Sequence, residues 1–208
     1  MNFSLITDFG CPFNCSFCIT NSQETKKGFS FSDQDFIDLK NEISKHKIRR
    51  ISLSGGGDPL YIHSDSIKDF YKRIFSFCKS ENIELHVHTN TMAPIQIAKD
   101  FDKVVVSVNA LNFLKKYENW KDIKRKRFVH VSDGTDYDLI KQMLDNCPDD
   151  SQFTVKQMDD FDDELFLNIR RLLSDKKNAM FLQSGDYNLY YVLNEGKTYT
   201  RFKDIVFS

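Results

Sequence analysis

Ile51-Ser52-Leu53-Ser54-Gly55-Gly56-Gly57-Asp58-Pro59-Leu60 reads as a short strand broken by three glycines. Residues 64–80 follow with helical spacing through Ile67, Phe70, Tyr71, Ile74, Phe75 and Cys78. Strand, loop and amphipathic helix make one βα unit, and the same unit recurs on either side. Runs rich in branched and aromatic residues lie at 3–7, 50–53, 83–88, 103–108, 127–131 and 152–157. Helical spacing fills the intervals. Residues 33–46 place Phe36, Ile37, Leu39, Lys40 and Ile43 on recurring faces behind Ser32 as N-cap. A short helix is expected after Pro94, and others over 111–123, 136–146 and 162–174.

Six strands alternating with helices imply an α/β fold with parallel pairing through right-handed crossovers. Val104-Val105-Val106 is apolar throughout, as a strand covered on both faces should be. Periodicity alone admits either an open, partial barrel or a doubly wound sheet. Past residue 176 the pattern turns to strands at 179–183, 189–193 and 197–202, with Asn194-Glu195-Gly196 as turn chemistry between the last two. These read as a short C-terminal β appendage, so residues 1–175 form a core and 176–208 an extension of the same domain.

A chain of 208 residues buries most of the surface its unfolded form exposes, and 19 phenylalanines provide core material. A net charge of −1 argues against broad binding to nucleic acid, and the basic stretch over 121–127 reads as a solvated helix end. No apolar run approaches the roughly 20 residues that cross a bilayer, and the first eight residues lack the pattern of a secretory leader. The expected location is the cytoplasm, with no membrane partner. Five cysteines, three of them within eight residues, do not resemble a disulfide framework. In a reducing compartment such a group binds metal or does chemistry.

Those three stand in Cys11-Pro12-Phe13-Asn14-Cys15-Ser16-Phe17-Cys18, directly after the first strand. Thiolates so spaced on a loop can converge on one iron–sulfur cluster, and three ligands on a cubane leave one iron open. Zinc with a histidine is the competing reading; the nearest histidine, His46, lies in a predicted helix. Neither Cys78 nor Cys147 has a companion. The glycine run lies at the carboxyl end of its strand, the end where α/β folds bind ligands, and no Lys-Ser/Thr follows to make it a P-loop.

Cys-x3-Cys-x2-Cys with an aromatic before the last cysteine, followed after the second strand by glycine-glycine-acid at Gly56-Gly57-Asp58, closely resembles the radical SAM superfamily. The resemblance implies a partial (β/α)6 barrel in which Cys11, Cys15 and Cys18 ligate a [4Fe–4S] cluster. The amine and carboxylate of S-adenosylmethionine (SAM, AdoMet) would then chelate the open iron. It implies a reductively generated 5′-deoxyadenosyl radical that abstracts hydrogen from a substrate, with an electron donor such as flavodoxin or ferredoxin. By position, Phe17 would lie beside the adenine, and Gly55, Gly56, Gly57 and Asp58 would meet the methionine amine largely through backbone. Asp58 replaces the commoner glutamate.

Thr89-Asn90-Thr91 resembles the Thr-Asn-Gly turn of the family without its glycine, which makes Asn90 a SAM-site candidate. Ser107 and Asn109 close the fourth strand, where family members reach the ribose or carboxylate; capping of exposed backbone is the alternative. Ser132, Asp133 and Gly134 carry the same ambiguity. His86 and His88 share one face of their strand, toward either a cavity or a covering helix. Lys156 is a candidate contact for an acidic substrate group. Compact relatives include 7-carboxy-7-deazaguanine synthases and glycyl-radical activating enzymes, and no residue selects between them. A non-catalytic iron–sulfur or zinc protein on the same fold is the alternative class.

Overall fold

The computed structural model describes residues 2–7, 9–13, 15, 18, 29, 31–62, 64–158, 163–183, 188–201 and 204–205. Its order is β1 (Asn2–Ile6), α1 (Asp33–Lys45), β2 (Arg50–Leu53), α2 (Asp65–Ser80), β3 (Glu84–Thr89), β4 (Lys103–Ser107), α3 (Phe113–Trp120), β5 (Lys126–Ser132), α4 (Tyr137–Asp145), β6 (Gln152–Gln157), α5 (Leu167–Ser174), β7 (Ala179–Leu182), β8 (Asn188–Val192) and β9 (Lys197–Tyr199). All six predicted strands and both long predicted helices are present. No helix among the described residues is long and apolar enough to cross a membrane.

The chain divides into two compact units. In the first, strands run in the order β3-β2-β1-β8-β9. β1 pairs in parallel with β2 and β8, β2 pairs in parallel with β3, and β9 is antiparallel to β8. The register sets Phe3 and Leu5 beside Ile51 and Leu53, and those beside Leu85 and Val87. All six are fully or almost fully buried. Because strand side chains alternate, Ser4, Ser52 and His86 fall together on the opposite face. His86 therefore shares its face with serines, not with the aliphatic row.

Both long helices start where their serines stand. Ser32 accepts from Asp35 N at 3.2 Å while Asp35 Oδ2 accepts from Ser32 N at 2.8 Å, a reciprocal capping box. Ser64 Oγ accepts from Ile67 N at 3.3 Å at the head of α2. The phenylalanines gather here. Phe70 of α2 meets Phe9, Phe29, Phe31 and Tyr71 at centroid distances of 5.2–6.1 Å, and Tyr71 continues to Phe75 and Phe101. Each such pair adds about 0.5–1.5 kcal/mol beyond area burial.

The second unit holds β7-β6-β5-β4, all parallel. Phe113 of α3 packs edge-on against Phe128 of β5 and Phe153 of β6, at 5.6 and 5.9 Å. The segment after Pro94 is a short 3-10 helix, Gln96–Asp100, and β4 begins at Lys103. The predicted helix over 162–174 opens as a 3-10 turn, Asp163–Phe166, and becomes α5 only from Leu167.

The C-terminal strands divide between the units: β7 extends β6, whereas β8 lies against β1. A 3-10 turn over Leu193–Glu195 ends at Gly196 (φ 63°) and delivers β9. Ile205 is buried against Ile6 and Val192. Both units are α/β with parallel strands at their core.

Candidate functional site

β1 runs into the cysteine loop through Thr7, which is buried and whose hydroxyl has no partner among the described residues. Phe9 N bonds Thr7 O at 2.9 Å, and the fully buried Phe9 ring stacks on Phe29 at 5.6 Å and Tyr71 at 6.3 Å. This anchor fixes the base of the loop one residue before Gly10 and two before Cys11. Cys11 is exposed, while Cys15 and Cys18 are half-buried. Cys18 N bonds Cys15 O at 3.0 Å. Among the described residues, no group of three or more His, Cys, Asp and Glu side chains is gathered closely enough for a single metal ion. Phe17, expected beside an adenine, lies outside the described residues.

The glycine loop lies backbone to backbone against this base. Gly10 and Gly57 form an isolated parallel bridge, and Asp58 N donates to Gly10 O at 2.8 Å. Gly57 has φ +130°, and a Cβ there would stand 2.3 Å from Gly10 O. Only glycine permits that approach. The two motifs, more than 40 residues apart in sequence, are thus one structural feature.

Asp58 faces inward. It is 3% exposed; its carboxylate accepts from Thr89 Oγ1 at 2.8 and 3.0 Å and from Leu60 N at 2.9 Å. Tyr71 OH donates to Pro59 O at 2.5 Å, and burial, with the Asp58 charge second, holds that phenol well above its ordinary range. The Asp58 side chain thus ties the loop to the end of β3, while its backbone bonds Gly10 O and Tyr61 N.

The two remaining thiols lie elsewhere. Burial pushes Cys78, with the Asp102 charge adding, up to about 12, and raises Cys147, beside Asp150 and Asp149, to about 11. Both stay protonated at neutral pH and are poor metal ligands in that state.

The candidates of the second unit sit at strand ends. Asn90 follows β3, and both its backbone oxygen and its Oδ1 accept from Lys116, a residue that no pattern in the sequence singles out. Ser107 ends β4. Asn109 and Asn112 exchange side chain-to-backbone bonds, Asn109 N to Asn112 Oδ1 at 2.9 Å and Asn112 N to Asn109 Oδ1 at 3.1 Å, so capping occupies the Asn109 carbonyl oxygen. Lys156 is exposed on β6, beside Val131 of β5 and Leu182 of β7 in the register.

Beyond β5, Ser132 Oγ and His130 Nε2 each reach Asp136 at 2.5 Å, and His130 Nδ1 lies 3.2 Å from Val108 O. Gly134 N donates to Ser132 Oγ at 3.0 Å, and Asp133 accepts from Thr135. The turn that holds Ser132, Asp133 and Gly134 is therefore internally bonded. His130 and Asp136 were not legible as a pair, because neither residue type at that spacing marks one.

No curated protein sequence matches the chain. Among solved structures, that of BtrN in complex with AdoMet and 2-DOIA shares 16% identity over 76% of this chain and 69% of its own, with a TM-score of 0.48. Native anSMEcpe with bound AdoMet and Kp18Cys peptide shares 15% identity over 90% of this chain, with a TM-score of 0.51. The match covers 55% of the anSMEcpe chain, so this chain spans about half its length. That likeness shows a shared fold, in keeping with the βα order and parallel register expected of a partial (β/α)6 barrel. The model of the radical SAM superfamily matches residues 5–131, more than half of the chain, and takes in the cysteine loop and the glycine loop together. The chain belongs to the radical SAM superfamily, whose enzymes use a [4Fe–4S] cluster and S-adenosylmethionine.

Proposed function

We propose that this chain is a radical SAM enzyme in which Cys11, Cys15 and Cys18 hold a [4Fe–4S] cluster. The observation that carries the reading is the close approach of Gly57 to Gly10, which brings the backbone of the glycine loop to the base of the cysteine loop. The donor set suits the group: three thiols within eight residues, on a loop whose base is pinned by Phe9 and Gly10. Three cysteine ligands leave one iron of a cubane open to an exchangeable ligand. Cluster and SAM, when bound, supply a one-electron reductive cleavage to methionine and a 5′-deoxyadenosyl radical, which takes hydrogen from the substrate.

The chain's own part is placement. Gly55, Gly56 and Gly57 present backbone without side chains to the methionine amine, and Asp58 holds that backbone still through Thr89 and Leu60 N. Phe17 borders the adenine. Asn90, Ser107 and Asn109 supply polar contacts to the ribose or carboxylate. Lys156 has a charge to offer an acidic group of the substrate. An acidic one-electron carrier such as flavodoxin or ferredoxin would serve as reductant in the cytoplasm. The substrate is either a small molecule, as for 7-carboxy-7-deazaguanine synthases, or a protein, as for glycyl-radical activating enzymes.

Anaerobic reconstitution with iron and sulfide tests the reading. A brown protein absorbing at about 400 nm that forms 5′-deoxyadenosine from SAM and dithionite is expected. A colourless protein holding one tightly bound zinc would overturn it in favour of a non-catalytic metal-binding role.

A further inference from the structure

In the first unit, α1 and α2 end side by side, and a cleft of about 440 Å³ opens between their last turns. Both helices close in the same way. Ile48 N reaches back to Ile43 O at 3.0 Å, and Ile83 N to Cys78 O at 2.9 Å. The residue that makes each return possible, Lys47 or Asn82, takes a left-handed backbone with φ 51° or 54°. Among the described residues these two alone, glycines aside, have positive φ. Asparagine tolerates that conformation through local hydrogen bonding, whereas lysine bears the full crowding of its Cβ. Strain of this kind persists where a side chain is needed at that point.

Lys47 joins two further cations on the cleft wall. Lys40 Nζ lies over the rings of Phe36 and Phe77, 4.9 and 5.7 Å from their centroids, and Arg49 stands just before β2. Neighbouring charges are paired, Lys45 with Glu42 at 2.9 Å and Arg50 with Glu84 at 2.8 Å. Lys40, Lys47 and Arg49 make no ion pair with any described residue. Against them stand Glu81 and two helix C-termini, each worth about half a negative charge, so the cleft keeps a surplus of about one positive charge. Ile43, Ile48 and Phe77 supply apolar wall. The volume exceeds what a bare ion fills and falls within the range of small-ligand sites, about 300–1,000 Å³.

We propose that this cleft binds a small phosphate ester, its phosphate held by Lys47, Arg49 and Lys40 and its apolar or planar body laid against Ile43, Ile48 and Phe77. A phosphate group carries about −1.5 to −2 charges at neutral pH and accepts both N–H donors of an arginine fork. The cleft lies at the amino ends of β2 and β3, whereas the cysteine and glycine loops follow the carboxyl ends of β1 and β2. It is therefore separate from the proposed cofactor site and does not rest on it.

The test is a proton–nitrogen NMR titration of the reconstituted, oxidised chain with phenyl phosphate, inorganic phosphate and phenol. Phenyl phosphate should shift the amides of Ile48 and Ile83 saturably. Inorganic phosphate should bind at least about tenfold more weakly, the loss of one buried ring, and phenol should not bind. Lys47→Gly removes the charge and suits the backbone, so it should weaken phenyl phosphate about tenfold while the thermal midpoint stays level or rises. Arg49→Gln should weaken binding by a similar factor. Lys45→Gln makes the same charge change at the same helix end but outside the cleft, and should stay within about twofold of wild type. Equal affinity of Lys47→Gly and wild type, an equal loss in Lys45→Gln, or inorganic phosphate binding as well as phenyl phosphate would each overturn the site. So would binding of hexaglutamate by a chain whose amides phenyl phosphate leaves unmoved, which would make the cleft a docking face for an acidic protein segment.

Discussion

Thr89 donates its hydroxyl to both carboxylate oxygens of Asp58, at 2.8 and 3.0 Å, with each residue only 3% exposed. A buried carboxylate deprived of one donor keeps its desolvation cost. Thr89→Val preserves shape and removes the bond, so it should destabilise the chain by about 1.5–3 kcal/mol. Asp58→Ala should cost more, because Leu60 N loses its partner as well. Urea unfolding of the two variants gives the order, and Thr89→Ser, which restores the hydroxyl, should recover most of the loss.

Glycine substitutions should separate by geometry. Gly57→Ala would drive a methyl to 2.3 Å of the Gly10 carbonyl, so the loops must part; loss of cluster loading is expected, read as iron per chain after reconstitution. Gly196→Ala also sits at positive φ, but its Cβ would find only Asp38 Oδ2, at 3.9 Å. It should cost about 1–2 kcal/mol in thermal unfolding and leave iron content untouched.

Three of the five thiols should fall into two classes on alkylation of the metal-free protein. Cys11 is exposed and, although burial raises its thiol above the ordinary value, it should label in the folded protein ahead of the other two. Cys78 and Cys147, raised to about 12 and about 11, stay protonated at mildly alkaline pH and should label only on unfolding. Peptide mass mapping distinguishes them. The same shifts make the fold less stable as pH rises above 9.0, the ordinary thiol value, since the unfolded thiols then ionise and the buried ones do not.

Asp136 predicts an effect at the acid end. Burial pushes its carboxyl up, but hydrogen bonds from His130 and Ser132 outweigh that and leave it below its ordinary 3.8. A carboxyl lowered in the folded state contributes stability above that value and loses it as the pH falls below. The stability gap between wild type and Asp136→Asn should therefore hold steady at neutral pH and narrow as the pH falls through and below 3.8, as measured by urea unfolding. A constant gap would show that the carboxylate charge is not what Ser132 and His130 recognise.

Local chemistry was legible in the sequence, and long-range placement was not. Ser32 and Ser64 announced two helix starts because a hydroxyl before an apolar period caps backbone within three residues of itself. The strands showed equally well, since burial on both faces leaves continuous apolar runs such as Val104–Val106. Lys116 left no such trace. On α3 it reads as one more lysine of an amphipathic helix, and only the oxygens of Asn90 and Ser107 make it a core residue. Asp58 was legible as part of a glycine loop, but the inward turn of its carboxylate depends on Thr89, 31 residues away. The C-terminal strands were visible as strands, yet nothing in their pattern says that β7 joins β6 while β8 crosses to β1.

The pairing of β8 with β1 governs the order in which this protein can be completed during synthesis. The strand that leads into the cysteine loop is made before both of its neighbours, gains β2 on one side early, and keeps an open hydrogen-bonding edge on the other until residues 188–192 have been made. Its Ile6 likewise waits for Val192 and Ile205. The thiols are thus translated early on a strand that settles late, and metal is best delivered once the rest of the chain has arrived.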